Sequence, residues 1–370
     1  MSEARLVFFL HGLPDYEALF PLACRLAERG LPVVCYGASA ALRREPRLRQ
    51  LIAAAPVAVR LWPNRLLKRL AGLWLRPDDV AVVLSDPALD GSATVARSAY
   101  LRKHAIASIF VQHGVIQTMV NYPVPDPAPN RFHSGLLLLY DDPVLATSLV
   151  PEARARARQV GFLKAPILAP RPPGADFEQM QAGYSKTVLI CHSFRWSERY
   201  SNAEIEAFYD LVVSLARGCP DHLFILRGHR GKTRSIHGKN DRALLRQNPN
   251  IVMSRARSGP LAGMGMLDVL ALSDLVISTA STALLDSLYA GKMAAVYRNE
   301  HPVYEALPNI ETPRDAMRFL ENPAPESGAA MMRRFGMIEA NLDRAAEEIA
   351  AFLKSRGVRN QPSHPAGSSP

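Results

Sequence analysis

The sequence has few cysteines and no closely spaced pair of them. Its four cysteines, Cys24, Cys35, Cys191 and Cys219, are far apart in a chain of 370 residues. No Cys-x-x-Cys pair occurs, so the sequence predicts neither a zinc cluster nor a disulfide framework. Unpaired cysteines are typical of a reducing compartment, and we therefore predict a cytoplasmic protein.

Long hydrophobic runs are absent as well. The N-terminal apolar stretch at residues 6–10 is shorter than the apolar core of a secretory signal peptide. Residues 105–125 contain no Asp, Glu, Lys or Arg, but Gln112, His113 and Asn121 interrupt them with polar groups. This composition does not fit a membrane-spanning helix, so no transmembrane segment is expected.

Acidic residues are fewer than basic ones. Lys and Arg number 44 and Asp and Glu 34, which gives a net charge of +10. The excess favours an anionic partner: nucleic acid, an acidic membrane or a phosphorylated substrate. Because no nucleic-acid-binding module with interleaved aromatic residues is recognisable, nucleic acid is not an expected partner. Apolar residues make up 48% of the chain, which is typical of a folded protein.

The chain is long enough for about two domains. Short apolar runs alternate with helical patterns along most of it, which is typical of parallel sheets with helical crossovers. Strands are predicted at residues 6–10, 32–36, 80–84, 106–112, 136–140, 187–191, 223–226, 250–253, 275–277 and 294–297. Helices are predicted at residues 15–29, 203–217, 267–272, 282–290 and 329–355.

A proline-rich segment separates two series of predicted strands. The fold class is therefore α/β, with two Rossmann-like domains facing each other across a cleft. Ligands of open α/β sheets bind at the carboxyl ends of the strands, so functional residues are expected there. The predicted order is an N-terminal domain at residues 1–165, a linker at 166–182, a C-terminal domain at 183–328, a helix at 329–356 and a disordered tail at 357–370.

Hydroxyl side chains cluster after the predicted strand at 275–277. Ser278, Thr279, Ser281 and Thr282 lie where this strand leads into a helix. Free backbone amides and the helix dipole attract anions at such a position, and hydroxyls add donors for phosphate oxygens. Ordinary capping of the helix is the alternative, although capping needs only one hydroxyl.

Basic residues follow two other predicted strands of the second domain. Arg227 and His229 come after one of them, and both side chain types can bind a pyrophosphate. Arg195 and Trp196 follow the other, where Arg195 can reach phosphates and Trp196 can pack on a base or sugar. The alternative is that both segments are solvated polar loops.

In the first domain, Gln112, His113 and Gly114 end a predicted strand. A neutral imidazole at His113 can accept a proton from a hydroxyl, which is the task of a general base. A histidine with a purely structural role is the alternative. His11 and Gly12 follow the first predicted strand and are further candidates at the same edge.

Residues 61–76, from Leu61 to Arg76, carry apolar and basic side chains at helical spacing. The pattern is typical of a basic helix lying on an anionic membrane, and a helix packed on the core is the alternative. The predicted apolar face consists of Trp62, Leu66, Leu70, Leu73 and Trp74. The predicted basic face consists of Arg65, Lys68, Arg69 and Arg76.

The order of these motifs resembles the GT-B glycosyltransferase-like superfamily, and most closely the CDP-glycerol glycerophosphotransferase and capsule-polysaccharide transferase families. The resemblance covers most of residues 105–300. His113 is similar to the family's His-Gly element, whose histidine is assigned as the base. The elements that resemble its donor-binding region are the loop with Arg195, the segment with Arg227 and His229, residues 268–274 with Asp268, and residues 278–286 with Asp286.

Two positions depart from the family pattern. Arg230 stands where the family usually has proline, and residues 278–282, Ser-Thr-Ala-Ser-Thr, replace a Thr-Asp-Tyr-Ser-Ser type sequence. The hydroxyls are kept, but the missing Asp and Tyr argue against CDP-glycerol as the donor. No Asp-x-Asp pair occurs, which agrees with a reaction that needs no metal.

The resemblance implies a transferase that moves a sugar or polyol phosphate from a nucleotide-activated sugar or CDP-polyol donor. The acceptor would be a glycan or lipid-linked precursor of a bacterial surface polysaccharide, such as capsule, a teichoic-acid-like polymer or lipopolysaccharide. His113 is then the base, and no metal or other cofactor is expected. The alternatives are a nucleotide-sugar epimerase of the same fold and a non-catalytic protein that binds polysaccharide or lipid.

Overall fold

The chain folds into two compact units. The first combines Met1–Leu168 with Phe335–Pro370, and the second is Ala169–Arg334. Each contains one parallel β-sheet with helical connections, which confirms the predicted α/β class with two Rossmann-like domains. The computed structural model describes residues 4–70, 74–86, 95–117, 120–121, 132–194, 200–228 and 238–357.

A seven-stranded parallel sheet forms the centre of the first unit. Its strands are β1 (Leu6–Leu10), β2 (Val33–Ala38), β3 (Ala58–Trp62), β4 (Val80–Val83), β5 (Ala107–Val111), β6 (Leu136–Leu139) and β7 (Ala157–Gln159). The helices between these strands are α1 (Leu13–Glu28), α2 (Ser39–Arg44), α3 (Leu48–Ala53), α4 (Asn64–Leu70), α5 (Val95–Lys103) and α6 (Pro151–Arg154). The order of the strands is β3-β2-β1-β4-β5-β6-β7, so the chain changes direction across the sheet between β1 and β4.

The second unit contains a six-stranded parallel sheet. Its strands are β8 (Lys186–His192), β9 (His222–Gly228), β10 (Ile251–Met253), β11 (Leu275–Thr279), β12 (Met293–Tyr297) and β13 (Asn309–Ile310). Its helices are α7 (Ala175–Gln181), α8 (Asn202–Gly218), α9 (Gly238–Gln247), α10 (Met266–Ala271), α11 (Ala283–Tyr289), α12 (Pro313–Glu321) and α13 (Pro325–Phe335). The order is β10-β9-β8-β11-β12-β13, which puts the change of direction between β8 and β11.

The sequence signals for several elements are explained by local contacts. The central strands of both sheets are buried and almost entirely apolar, because parallel strands are covered on both faces. Ser201 is the N-cap of α8, since its hydroxyl accepts the backbone N–H of Glu204 while the Glu204 carboxylate accepts the N–H of Ser201.

The C-terminal helix differs from the prediction. One continuous helix was expected over residues 329–355, but α13 ends at Phe335 and a separate helix, α14 (Ile338–Ser355), follows. Gly336 interrupts the helical path because its φ is +71°. The helix α14 packs against α1 in the first unit, where Arg25 and Arg29 form ion pairs with Asp343.

A buried asparagine connects α14 to the rest of the first unit. The side-chain amide of Asn341 donates to the carbonyls of Phe162 and Phe335, at 3.0 and 2.7 Å. Gly161 lies against this amide with a φ of +84°, and an added Cβ would be 2.4 Å from the carbonyl oxygen of Phe335. Only glycine therefore fits at position 161.

Several predicted boundaries are wrong in detail. Strands β3, β7 and β13 were not predicted, and β13 extends the sheet beyond the strand predicted at residues 294–297. Ser278 and Thr279 belong to β11 rather than to the turn after it, because they pair in register with Val296 and Tyr297 of β12. Residues 358–370 of the predicted tail lie outside the described residues.

The predicted amphipathic helix at residues 61–76 is also corrected. Leu61 and Trp62 are in strand β3, since they continue its pairing with β2, and the helix begins only after Pro63. The rings of Trp62 and Trp74 stack at 4.5 Å against the core and do not form an exposed face. Leu67 is buried, whereas Leu66 and Leu70 are exposed. Leu73 lies outside the described residues.

Among the described residues, no helix has the length and hydropathy that crossing a membrane requires.

The contact at Gly161 makes a prediction about stability. We expect Gly161→Ala to lower the free energy of unfolding by about 3 kcal/mol or more, because it combines a positive φ with a steric clash. Gly357→Ala is the matched control: Gly357 follows α14 with a φ of +77° and has no atom within 4 Å of an added Cβ. Chemical denaturation of both variants measures the difference. Equal losses would show that the Asn341 contact is not tightly packed.

Candidate functional site

The carboxyl ends of β8 and β11 meet where the chain changes direction in the second unit. Ser193 follows β8, and its backbone N–H and hydroxyl both contact the Thr279 hydroxyl at 3.1 Å. Cys191 is the register partner of Arg227 on β9 and of Ser278 on β11, so Arg227 and Ser278 lie two strand spacings apart, or about 10 Å. Open α/β sheets bind their ligands at this point of the topology.

The four hydroxyls of residues 278–282 do not have equivalent surroundings. Ser278 and Thr279 are fully buried, and the Ser278 hydroxyl donates to the Thr279 carbonyl at 2.8 Å. Ser281 and Thr282 are partly exposed. Ser281 contacts the Ser278 hydroxyl at 3.1 Å, and its carbonyl accepts a hydrogen bond from the Tyr304 hydroxyl at 2.6 Å. Of the four residues, only Ser281 and Thr282 are therefore partly accessible to solvent.

Capping does not explain these hydroxyls. Thr282 is the N-cap residue of α11, but its side chain makes no capping hydrogen bond. A hydroxyl is free to rotate, so the Ser281 hydroxyl can turn from Ser278 to an incoming oxyanion. The Thr282 hydroxyl is therefore not used to cap α11.

Arg227 supplies a buried positive charge at the same edge of the sheet. Its side chain is 7% exposed, and Nη1 donates to the Ser254 hydroxyl and to the Met264 carbonyl. Burial lowers the pKa of Arg227, but the guanidinium remains protonated at neutral pH. No ion pair with a carboxylate engages it among the described residues. The buried guanidinium is thus a charged donor without a counter-ion in the part of the chain that the structure describes.

Cys191 lies between Arg227 and Ser278 and is chemically inert. Burial raises the pKa of the Cys191 thiol to about 12, so the thiol stays protonated. A protonated, buried thiol is not a nucleophile.

The two candidate aspartates differ in their surroundings. The Asp268 carboxylate is buried and accepts the backbone N–H groups of Gly265 and Arg171, both at 2.7 Å. It also pairs with the Arg171 guanidinium at 3.4 Å, so both of its oxygens are engaged in holding α10 and the preceding chain. Asp286 lies on α11 and is partly exposed. Arg195, Trp196, His229 and Arg230 lie outside the described residues.

In the first unit, His113 lies after β5 in a turn that its neighbours hold. The buried Gln112 amide donates to the carbonyls of Gly114 and Val115, and its oxygen accepts the N–H of Tyr140 after β6. The Gln117 oxygen accepts the N–H groups of His113 and Gly114, at 3.2 and 3.4 Å. The His113 side chain is exposed at the carboxyl end of the sheet, so Gln112 fixes the turn and His113 is presented to solvent.

His11 and Gly12 lie at the carboxyl end of β1. Their backbone N–H groups donate to the Asp15 carboxylate, at 3.0 and 2.8 Å, which begins helix α1. The His11 ring contacts Asn64 and Arg97, at 3.4 and 3.0 Å.

Sequence reasoning did not identify Ser193, Tyr304 or Arg97 as site residues. Ser193 was detectable, since it directly follows a predicted strand. Tyr304 and Arg97 had no comparable signal, because each reaches its partner from a helical segment distant in sequence. Within the described ranges, no three His, Cys, Asp or Glu side chains are grouped as a metal site.

Comparisons with known proteins identify the fold class. No family model matches the sequence, and no curated protein matches it. A putative UDP-N-acetylglucosamine 2-epimerase from Listeria monocytogenes has a TM-score of 0.62 at 13% identity, over 98% of this chain and 99% of that chain. HepE from Anabaena, in complex with UDP and glucose, has a TM-score of 0.53 at 15% identity, over 95% and 100%. The wall teichoic acid polymerase TagF has a TM-score of 0.52 at 13% identity, over 96% and 90%.

These similarities show a GT-B-like fold along nearly the whole chain. The similar structures include a polymerase and a putative epimerase, so the fold alone does not select a reaction.

The turn at His113 makes a prediction about stability. We expect Gln112→Glu to lower the free energy of unfolding by at least about 2 kcal/mol, because a buried carboxylate would face two carbonyls that now accept N–H groups. Gln117→Glu is the control, since the Gln117 oxygen only accepts in this turn and a carboxylate can do the same. Urea denaturation of both variants tests this. A loss in Gln117→Glu as large as in Gln112→Glu would contradict it.

Proposed function

We propose that the protein is a GT-B transferase that moves a sugar or polyol phosphate from a nucleotide-activated donor to a glycan or lipid-linked acceptor of a surface polysaccharide. The observation that carries the proposal is the buried Arg227 guanidinium, which has no ion pair among the described residues. It lies at the carboxyl edge of the second sheet, as do Ser193 and Ser281. A donor diphosphate would supply a negative charge for the guanidinium and oxygen acceptors for the hydroxyls.

The second unit would bind the donor and stabilise the leaving nucleotide. Arg227 opposes the negative charge that grows on the departing diphosphate, and the hydroxyls of Ser281 and Thr282 donate to its oxygens. Because the guanidinium is fixed by Ser254, it needs no reorganisation when that charge develops. Arg195 and His229 remain predicted contributors to the same task. These groups would act without a metal ion.

The first unit would activate the acceptor. His113 is exposed, as a base must be to reach a hydroxyl, and the bonds of Gln112 and Gln117 fix its backbone. The imidazole would take the proton from the acceptor hydroxyl as that oxygen attacks the donor.

An epimerase acting on a nucleotide sugar is the second candidate. It is favoured by the similarity in fold to the putative UDP-N-acetylglucosamine 2-epimerase, whose TM-score is 0.62. Incubation with nucleotide sugars separates the two: an epimerase converts the sugar with no acceptor present, whereas a transferase needs one.

Donor binding and base catalysis can be tested in one set of variants. We expect a CDP-, CMP-, UDP- or GDP-linked donor to raise the melting temperature, and Arg227→Gln to reduce the shift. His113→Asn should keep the shift but lower turnover by about 10²- to 10⁴-fold, because only proton transfer is lost. His104→Asn, at an exposed histidine after α5, is the control. Absence of any nucleotide shift would favour a non-catalytic binding protein, and full turnover in His113→Asn would exclude the base.

We also propose that α4 contacts the inner face of the cytoplasmic membrane, through its anionic lipids. Leu61, Leu66 and Leu70 are exposed in this short region, with Arg65 and Arg69 exposed beside them. Leucines that can enter the interface next to arginines that pair with lipid phosphates are the combination that peripheral proteins use.

Co-sedimentation with vesicles tests this contact. We expect binding to increase with the fraction of anionic lipid, and the double substitution Leu66→Ser and Leu70→Ser to reduce it at least about fivefold, since two apolar anchors are lost. Val144→Ser is the control, because Val144 is 69% exposed in the same unit but outside α4. Binding that does not depend on anionic lipid would contradict the proposal.

A further inference from the structure

The first unit contains a buried arginine without a carboxylate partner. Arg97, on α5, is 5% exposed, and its guanidinium carbon lies 4.4 Å from the centre of the Phe9 ring. Nη1 contacts His11 Nε2 at 3.0 Å, and among the described residues Nε has no hydrogen-bond partner. Buried charges in proteins are normally paired, and no ion pair involves Arg97 in the part of the chain that the structure describes.

His11 holds Arg97 without neutralising it. Burial, Arg97 and Lys68 lower the pKa of His11 to about 4, so the ring is neutral at pH 7. A guanidinium can only donate, so Nε2 of His11 must accept from Arg97 and the ring proton must be on Nδ1. Nδ1 then donates to the Asn64 side-chain oxygen, with 3.4 Å between Nδ1 and Oδ1. The ring is thus a neutral support for a charged group.

Lys68 adds a second positive charge near His11. It lies on α4, one turn after Asn64, and is close enough to His11 to lower its pKa. The carboxylate whose charge acts on Arg97 is Asp15, and that carboxylate accepts the backbone N–H groups of His11 and Gly12. Two cations therefore converge on a neutral imidazole, with one carboxylate nearby.

The cluster occupies the ligand-binding position of its sheet. His11 directly follows β1, and the chain changes direction between β1 and β4. This is the same topological point that Ser193 and Thr279 occupy in the second unit, and open α/β sheets bind ligands there.

We propose that Arg97, Lys68 and His11 form an oxyanion-binding subsite in the first unit that holds a phosphate group. The Arg97 Nε–H has no acceptor among the described residues and the Lys68 side chain is partly exposed, so the two groups can bind two oxygens of one phosphate. The subsite itself is independent of the proposed function. The assignment of this phosphate to the acceptor substrate rests on that function.

Calorimetric titration of the full-length protein with inorganic phosphate and with glycerol 3-phosphate tests the subsite. We expect saturable binding that Lys68→Gln weakens about tenfold, since one charge-assisted hydrogen bond is lost. Arg69→Gln is the matched control, because it removes the same charge from the adjacent exposed position of α4. Arg97→Lys keeps the positive charge but loses the planar set of guanidinium N–H donors, and should weaken binding as well. If Arg97→Lys does not fold, the Lys68→Gln and Arg69→Gln pair still decides.

Three results would overturn the subsite: no saturable binding of either probe, equal effects of Lys68→Gln and Arg69→Gln, or binding that is lost in Arg227→Gln and kept in Lys68→Gln. The last would place the phosphate in the second unit. The two probes distinguish the sources of the group. Tighter binding of glycerol 3-phosphate assigns the subsite to a phosphorylated substrate, and tighter binding of inorganic phosphate refutes the link to the acceptor. Neither outcome depends on nucleotide binding or turnover, which test the proposed function separately.

Discussion

Burial of both faces of each sheet is the constraint on which the rest of the structure depends. Strands such as β1, β4 and β6 consist of buried apolar residues, so their faces can carry packing but no chemistry. Polar side chains are excluded from the strand centres and collect where the strands end. Ser193, Arg227 and His113 all follow this rule, although they belong to different elements.

Both units bury an arginine side chain and hold it with neutral groups. Each has one buried arginine near its change of strand direction, Arg97 in the first and Arg227 in the second. Each guanidinium is held by neutral groups, an imidazole for Arg97 and a hydroxyl for Arg227. A neutral support fixes the position of the charge and leaves its field available to a ligand, which a carboxylate partner would cancel.

The sequence predicted the sheet better than the residues around it. Central strands were recognisable because continuous apolar runs such as residues 6–10 have few other uses in a soluble fold. The edge strand β3 was missed because its half-exposed residues share their apolar spacing with a helix, and only pairing with β2 decides between them. The position of His113 at a strand end could be predicted from the apolar run that precedes it. The position of Arg97 beside His11 could not, because it depends on a fold that brings α5 to β1.

The return of α14 to the first unit has a consequence for biosynthesis. The second unit is an insertion within the first, since residues on both sides of it build one domain. All of Ala169–Arg334 leaves the ribosome before α14 does, so the second unit can close while the first still exposes the surface of α1 that α14 will cover. The Asn341 amide bonds to Phe162 and Phe335 can form only then. The N-terminal half of the chain is therefore the last to be completed.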